Sequence, residues 1–228
     1  MDVGFPSRKT LATRQERIRI IFIYNKTERS VCSIRLLSVF TAAVVLSAAV
    51  ACSPKADEIS DLFNRVENLN IERNDYILGK VLTDKQKKSA QLNALDAASP
   101  GTYKFKDSDL YVVADHASDR VLVIYERYEP ASRAKIRELV GALFFKFGDP
   151  TVLAHDKTIY WAFDEKGEIS EEHYRKAKQE GRPLRTLATI KLHSSQKIMD
   201  QSGPVENGSV YYIISSEPIL KLHQAQNS

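Results

Sequence analysis

Imidazole and carboxylate side chains stand side by side twice in this chain, at Asp115-His116, with Asp119 close behind, and at His155-Asp156. A general base or a metal site uses that pairing, because the carboxylate fixes the ring tautomer and stabilises the positive charge that develops on it. Both pairs fall in segments of turn composition beside strand-like runs. Adjacency in sequence does not make side chains converge, so the expectation is solvated turn residues rather than a site. His173 sits on a polar helical stretch and His193 near a strand end, and neither has partners at metal-ligand spacing. The chain also lacks G-x-S-x-G, H-E-x-x-H, a Gly-rich phosphate loop and C-x-x-C. Cysteine, zincin and P-loop chemistries thus lack the residues they need, and no catalytic residue, metal or cofactor is assigned.

The remaining chemistry-bearing residue is a cysteine. Leu36 to Val50 is an apolar run without charge that follows Arg29 and Arg35 and leads into Ala49-Val50-Ala51-Cys52. Basic flank, apolar run and small residues are the layout of a secretory signal peptide. Val50, Ala51 and Cys52 resemble the bacterial lipobox, with Ala49 where leucine is usual. The resemblance implies cleavage before Cys52, diacylglycerol on its sulfur and palmitate-type acylation of the new amino terminus. It implies a lipoprotein of the cell envelope, held by lipid and facing the periplasm, and Ser53 in place of aspartate implies outer-membrane sorting in a Gram-negative cell. The competing reading is a membrane-spanning helix, since Leu36 to Pro54 is uncharged for 19 residues and about 20 span hydrocarbon. Its Ala, Ser and Thr content and the closing cysteine favour the signal peptide. Residues 1–30 make an unusually long basic leader, and a start at Val31 would give one of ordinary length.

Removal of residues 1–51 changes the charge. The chain has 33 Lys and Arg and 29 Asp and Glu. Eight basic and three acidic residues lie before Cys52, so 33 less 8 leaves 25 and 29 less 3 leaves 26. A mature net charge of about −1 offers no footprint for nucleic acid. The only other cysteine is Cys32, so the mature domain has no disulfide and must rest on packing.

The elements follow from periodicity. Ile59, Leu62, Phe63, Val66 and Leu69 recur at helical spacing from Asp57, and the mainly acidic opposite face (Asp57, Glu58, Asp61, Arg65, Glu67) argues against an anionic membrane surface and for docking on the domain, with a partner as the alternative. A second helix is expected from Asp84 to Ala97. Tyr103 to Lys106, Leu110 to Ala114 and Arg120 to Tyr128 read as an antiparallel meander. Pro130 is expected to open an amphipathic helix through Ile136, Leu139, Val140, Leu143, Phe144 and Phe147, closed by Gly148-Asp149-Pro150. Strands at Thr158 to Phe163, Leu184 to His193 and Ser209 to Ser215 follow, with a short helix from Ser170 to Gln179, a loop at 200–208 and a polar tail from Leu220. No internal repeat is visible.

The pattern predicts an α+β fold, an antiparallel sheet with one main amphipathic helix packed on it, preceded by an N-terminal helical segment. The expected organisation is 1–51 signal peptide with its extension, 52–100 lipid tether and helical segment, and 101–228 α+β domain. Gly148-Asp149-Pro150 with Trp161-Ala162-Phe163 is similar to small envelope lipoproteins that join a helix, a G-x-P turn and a W-x-aromatic strand. The strands preceding the helix do not fit the two-helix, three-strand order of the outer-membrane assembly lipoprotein, and no function carries over from it. Tyr125, Tyr128, Tyr160, Trp161, Phe163, Tyr211 and Tyr212 fall in strands, where alternation sends about half outward, so either core packing or an aromatic strip for peptide or glycan accounts for them. The leading expectation is a non-catalytic binding or assembly module with the membrane, and an envelope protein, as partners. The alternatives are an envelope hydrolase with a His/Asp site and a structural subunit of a membrane complex.

Overall fold

A computed structural model describes residues 56–97, 99–198 and 208–227. The elements run α1 (Ala56–Glu67), β1 (Glu72–Arg73), β2 (Tyr76–Ile77), α2 (Asp84–Leu92), β3 (Ala94–Leu95), β4 (Thr102–Asp107), β5 (Leu110–Asp115), β6 (Val121–Ala131), α3 (Arg133–Phe147), β7 (Val152–Ala154), β8 (Thr158–Asp164), β9 (Gly167–Glu168), α4 (Glu171–Gln179), β10 (Ala188–Ser194), β11 (Gly208–Ser215) and α5 (Glu217–Asn227). The fold is α+β. One antiparallel sheet has the order β3-β4-β5-β6-β11-β10-β8-β7, with β9 also paired to β8. Two three-stranded units, β4-β5-β6 followed by α3 and β8-β10-β11 followed by α5, meet at the β6–β11 pair.

Alternation gives the sheet two chemically different sides. Phe105, Val112, Ile124, Ile214, Ile190 and Trp161 lie in register across six strands, and all are fully buried. The main helix α3 covers this inner side. Its Ile136, Leu139 and Leu143 are buried, Phe144 meets Trp161 edge to face at 5.7 Å, and Phe147 meets Phe163 at 6.3 Å. Ser132 caps the start by accepting from Lys135 N–H. Gly148 closes the helix at φ 72°, a conformation that favours glycine, and its carbonyl accepts from Trp161 Nε1–H. The same turn that ends the helix therefore orients the largest core ring.

The segment before the sheet joins the same core. Leu62, Phe63 and Val66 of α1 are buried. Gly79 lets the chain pass close beneath α1, because a Cβ there would stand 3.0 Å from Phe63 O at φ 82°. From the β1–β2 hairpin, Arg73 reaches over the inner side and gives two hydrogen bonds of 2.8 Å to the Glu126 carboxylate. Tyr128 O–H donates a third, at 2.6 Å. A buried carboxylate is tolerated here because its oxygens are filled.

Four elements differ from their expected extents. Helix α2 stops at Leu92 because Asn93 caps it, N–H to Ser89 O, and Ala94–Leu95 pair with β4. Pro130 belongs to the end of β6, and the α3 start falls to Ser132. The strand expected from Leu184 begins at Ala188. The segment expected to be a polar tail is the helix α5. Its Ile219 and His223 are buried at a spacing of four, with Leu220 and Leu222 packed against the core, so a short one-sided stripe was enough where the polar residues drew the eye. The loop expected at 200–207 and the lipobox cysteine Cys52 lie outside the described residues.

Candidate binding face

The two His/Asp turns do not form a site. Asp115 caps its own turn, accepting from Ser118 N–H at 2.8 Å and from the Ser118 hydroxyl. Its other oxygen stands 3.1 Å from His223 Nε2, which also lies 3.3 Å from Gly101 O. His223 is buried, so this pair fastens α5 to the ends of β4 and β5. Asp119 accepts from Tyr103 O–H at 2.7 Å and pairs with Lys87 at 2.7 Å; these hydrogen bonds, Lys87 first, hold its carboxyl below the usual range. His116 is exposed, edge-on to Tyr103. His155 and Asp156 are exposed and both adopt positive φ, 53° and 56°, as the tight turn between β7 and β8 requires. A cavity of about 550 Å³ is lined by Asp115, His116, Phe63 and Arg120 but not by His155. Arg120 is committed to Glu67, Gly79 O and Asn64, so among the described residues no free cation faces that cavity. His173 lies exposed on α4. Among the described residues no three His, Cys, Asp or Glu side chains are grouped to hold a metal.

The outer side of the sheet is built differently. Lys106, Tyr111, Tyr125, Ile213, Lys191 and Tyr160 stand opposite one another in register across β4, β5, β6, β11, β10 and β8. Beside this row runs a second, Arg127, Tyr211, His193 and Thr158. Every one of these side chains except exposed Arg127 is half-buried. No hydrogen bond, ion pair or ring contact joins any of them to a helix side chain among the described residues. Tyr111 and Tyr125 stack face to face at 4.7 Å. Lys106 Nζ sits 5.4 Å from the Tyr111 ring centre, Lys191 Nζ 5.5 Å from Tyr160, and the Arg127 guanidinium 5.7 Å from Tyr211.

The cations on this face are mostly uncompensated. Arg127 pairs with Glu129, while Lys104, Lys106 and Lys191 form no ion pair among the described residues. Ring contacts hold the Lys106 and Lys191 ammonium groups over tyrosine faces. His193 reports the resulting potential. Its pKa is lowered by burial first and then by the charges of Lys191 and Lys157, and its Nδ1 lies 2.9 Å from Thr158 Oγ1. Burial, and then the neighbouring Tyr111, raise the Tyr125 phenol.

Of the seven strand aromatics noted in the sequence, Tyr125, Tyr160 and Tyr211 face out, and Trp161, Phe163 and Tyr212 face the core. Tyr128 turns to the inner carboxylate of Glu126, whose contact, after burial, pushes its phenol up to about 12. Tyr111, Ile213 and the lysines escaped notice, although their signal was present as charged residues at alternate strand positions in Tyr103-Lys104-Phe105-Lys106 and Thr189-Ile190-Lys191. No family model matches this chain, and no curated protein or solved structure is significantly similar to it.

Proposed function

We propose that this chain is a lipid-anchored cell-envelope protein that works as a non-catalytic binding module, with the outer face of the sheet as its contact surface. The observation that carries the binding part is the outer row itself. Six in-register residues keep tyrosine rings, and ammonium groups with no ion pair among the described residues, half-open to water, whereas the histidines and aspartates that could do chemistry are spent on turns and on fastening α5. The envelope part rests on Ala49-Val50-Ala51-Cys52 and the uncharged run before it.

Both parts are open to direct test. Intact-mass analysis of the chain extracted from membranes is expected to show an acylated amino-terminal Cys52, and Cys52→Ser is expected to abolish it; an unmodified cysteine in the mature protein refutes the anchor. A photo-crosslinking residue at Tyr125 should capture envelope material in intact cells, while the same residue at the exposed Lys85 of α2 should not. Equal capture at the two positions refutes the outer face as the contact surface.

A further inference from the structure

We infer that the outer face docks a folded protein whose own surface is acidic; this rests on the reading of that face as a contact surface. Extent is the first argument. A third outward row, Lys104, Val113, Val123, Ser215, Thr189 and Ala162, lies beside the two already described, and it is half-buried except at buried Val113. It continues onto β3 at Leu95, and the other two rows continue onto β7 at Val152 and Ala154. Each outward residue takes about 33 Å² of a sheet, from strands about 4.8 Å apart and a two-residue repeat of about 6.8 Å, so the three rows cover roughly 600 Å² in plan. The relief of the side chains adds to that. The face is thus of the scale that a standard protein interface takes from each partner, ~800 Å² of accessible surface.

The arrangement across the face is the second argument. Ile213 and Tyr125 stand opposite each other at its middle, with Lys104 and Lys106 on β4, Arg127 on β6 and Lys191 on β10 around them. The Tyr111 ring is covered by Tyr125 and Lys106 and the Tyr160 ring by Lys191, so these rings are not open for a ligand to stack on. What a partner meets is a border of cations around an aliphatic and aromatic centre. An apolar middle with a charged rim is the anatomy of a protein interface.

Charge decides the kind of partner. The three rows hold no aspartate or glutamate, and of their cations only Arg127 has an ion pair among the described residues, to Glu129. The complement is a surface of carboxylates. A second copy laid face to face would set lysines against lysines, a repulsion that interfaces avoid. A nucleic-acid backbone follows a continuous cationic track, whereas Lys106 and Lys191 are four strand spacings apart, about 19 Å, with Tyr111, Tyr125 and Ile213 between them. An anionic membrane is gripped by apolar side chains that enter it, and those of the three rows are half-buried or buried except Leu95 at the edge.

The test uses the full-length chain in intact cells. A photo-crosslinking residue at Ile213 should give adducts whose digests contain peptides of one other protein. A water-soluble carbodiimide, which joins an ammonium directly to a carboxylate, should link Lys106 and Lys191 to aspartate or glutamate of that same protein. Lys106→Ser and Lys191→Ser should each lower the photo-adduct yield about tenfold, as the loss of one close charge pair does. Lys85→Ser with Lys176→Ser, on helices away from the face, should leave the yield unchanged. Unaltered thermal midpoints show that a lost adduct is not lost folding. A yield indifferent to Lys106→Ser and Lys191→Ser overturns the proposal, as does a protein adduct with no carbodiimide link at either lysine. Adducts that carry only peptides of this chain mean a second copy, and adducts of lipid, glycan or nucleotide mean another class of ligand; either overturns the acidic protein while the contact surface stands. No capture at Ile213 or at Tyr125 removes the partner and the surface together.

Discussion

The same six strands present two faces that solve opposite problems. On the inner side, Phe105, Val112, Ile124, Ile214, Ile190 and Trp161 are sealed from water, and the one carboxylate among them, Glu126, has its oxygens filled by Arg73 and Tyr128. On the outer side the neighbours of those residues are half-buried tyrosines stacked on one another or under a cation and lysines with no acid partner among the described residues. An apolar or neutralised side is what a sheet needs to pack helices. The half-buried Lys104, Lys106 and Lys191 on the opposite side have no ion pair among the described residues, and charges still in reach of water contribute little to stability. The inner face therefore accounts for stability and the outer face is free to serve a ligand, and substitutions should separate the two.

The largest expected effect is at Trp161. Trp161→Ala removes the ring that Phe144 and Phe147 pack against and frees the Gly148 carbonyl, so equilibrium unfolding should show a loss of about 3 to 5 kcal/mol. A loss under 1 kcal/mol would mean that α3 repacks easily, and the inner face would no longer stand apart from the outer one.

Next comes the buried ion pair. Arg73→Ala leaves Glu126, whose side chain is only 3% exposed, with Tyr128 as its remaining partner. Unpairing a buried charge typically costs about 3 to 5 kcal/mol. The lower end is expected, because the Arg73 side chain is 29% exposed and water can follow it out. Adding Glu126→Leu should restore most of the loss, since it removes the stranded charge. If the double variant is no better than Arg73→Ala, the pair holds the hairpin by shape rather than by charge.

How much of this could be read from the chain follows the same division. The inner face was legible: the α3 stripe from Ile136 to Phe147, its glycine stop and the antiparallel strands all follow from local period, which packing against a core imposes. Sheet order was not legible, because the β6–β11 contact that joins the two halves is set by residues some 80 positions apart and leaves no local pattern. Helix α5 was missed because only one or two of its residues per turn are apolar and one buried position is a histidine. The outer row was missed for a related reason. Tyr111, Tyr125, Ile213 and Lys191 come from four strands, and only the register places them in a line.

A smaller effect is expected where an apolar residue is removed from the outer side. Ile213→Ser lies in the middle of the row but is half-buried rather than sealed, so its cost should stay near 1 kcal/mol, well below that of Trp161→Ala. Chemical denaturation of both variants under one set of conditions measures the difference between the faces.

The smallest effect, and the most informative about the face, is the titration of His193. Its folded pKa lies below the ordinary imidazole value of about 6.5, through burial and then through Lys191 and Lys157. The unfolded chain therefore binds more protons between the two values, and by linkage stability rises with pH through that window and falls as the solution is acidified below 6.5. Lys191→Ser removes one of the repelling charges and should move the His193 midpoint upward, as followed by NMR of the ring protons. Burial would remain, so the midpoint should not return fully to the ordinary value. An acidic ligand seated on Lys191 should act in the same direction, and a neutral solute should leave the midpoint where it was. A midpoint that ignores both Lys191→Ser and the acidic ligand would mean that burial alone sets it, and that the outer face carries no concentrated positive potential at the row.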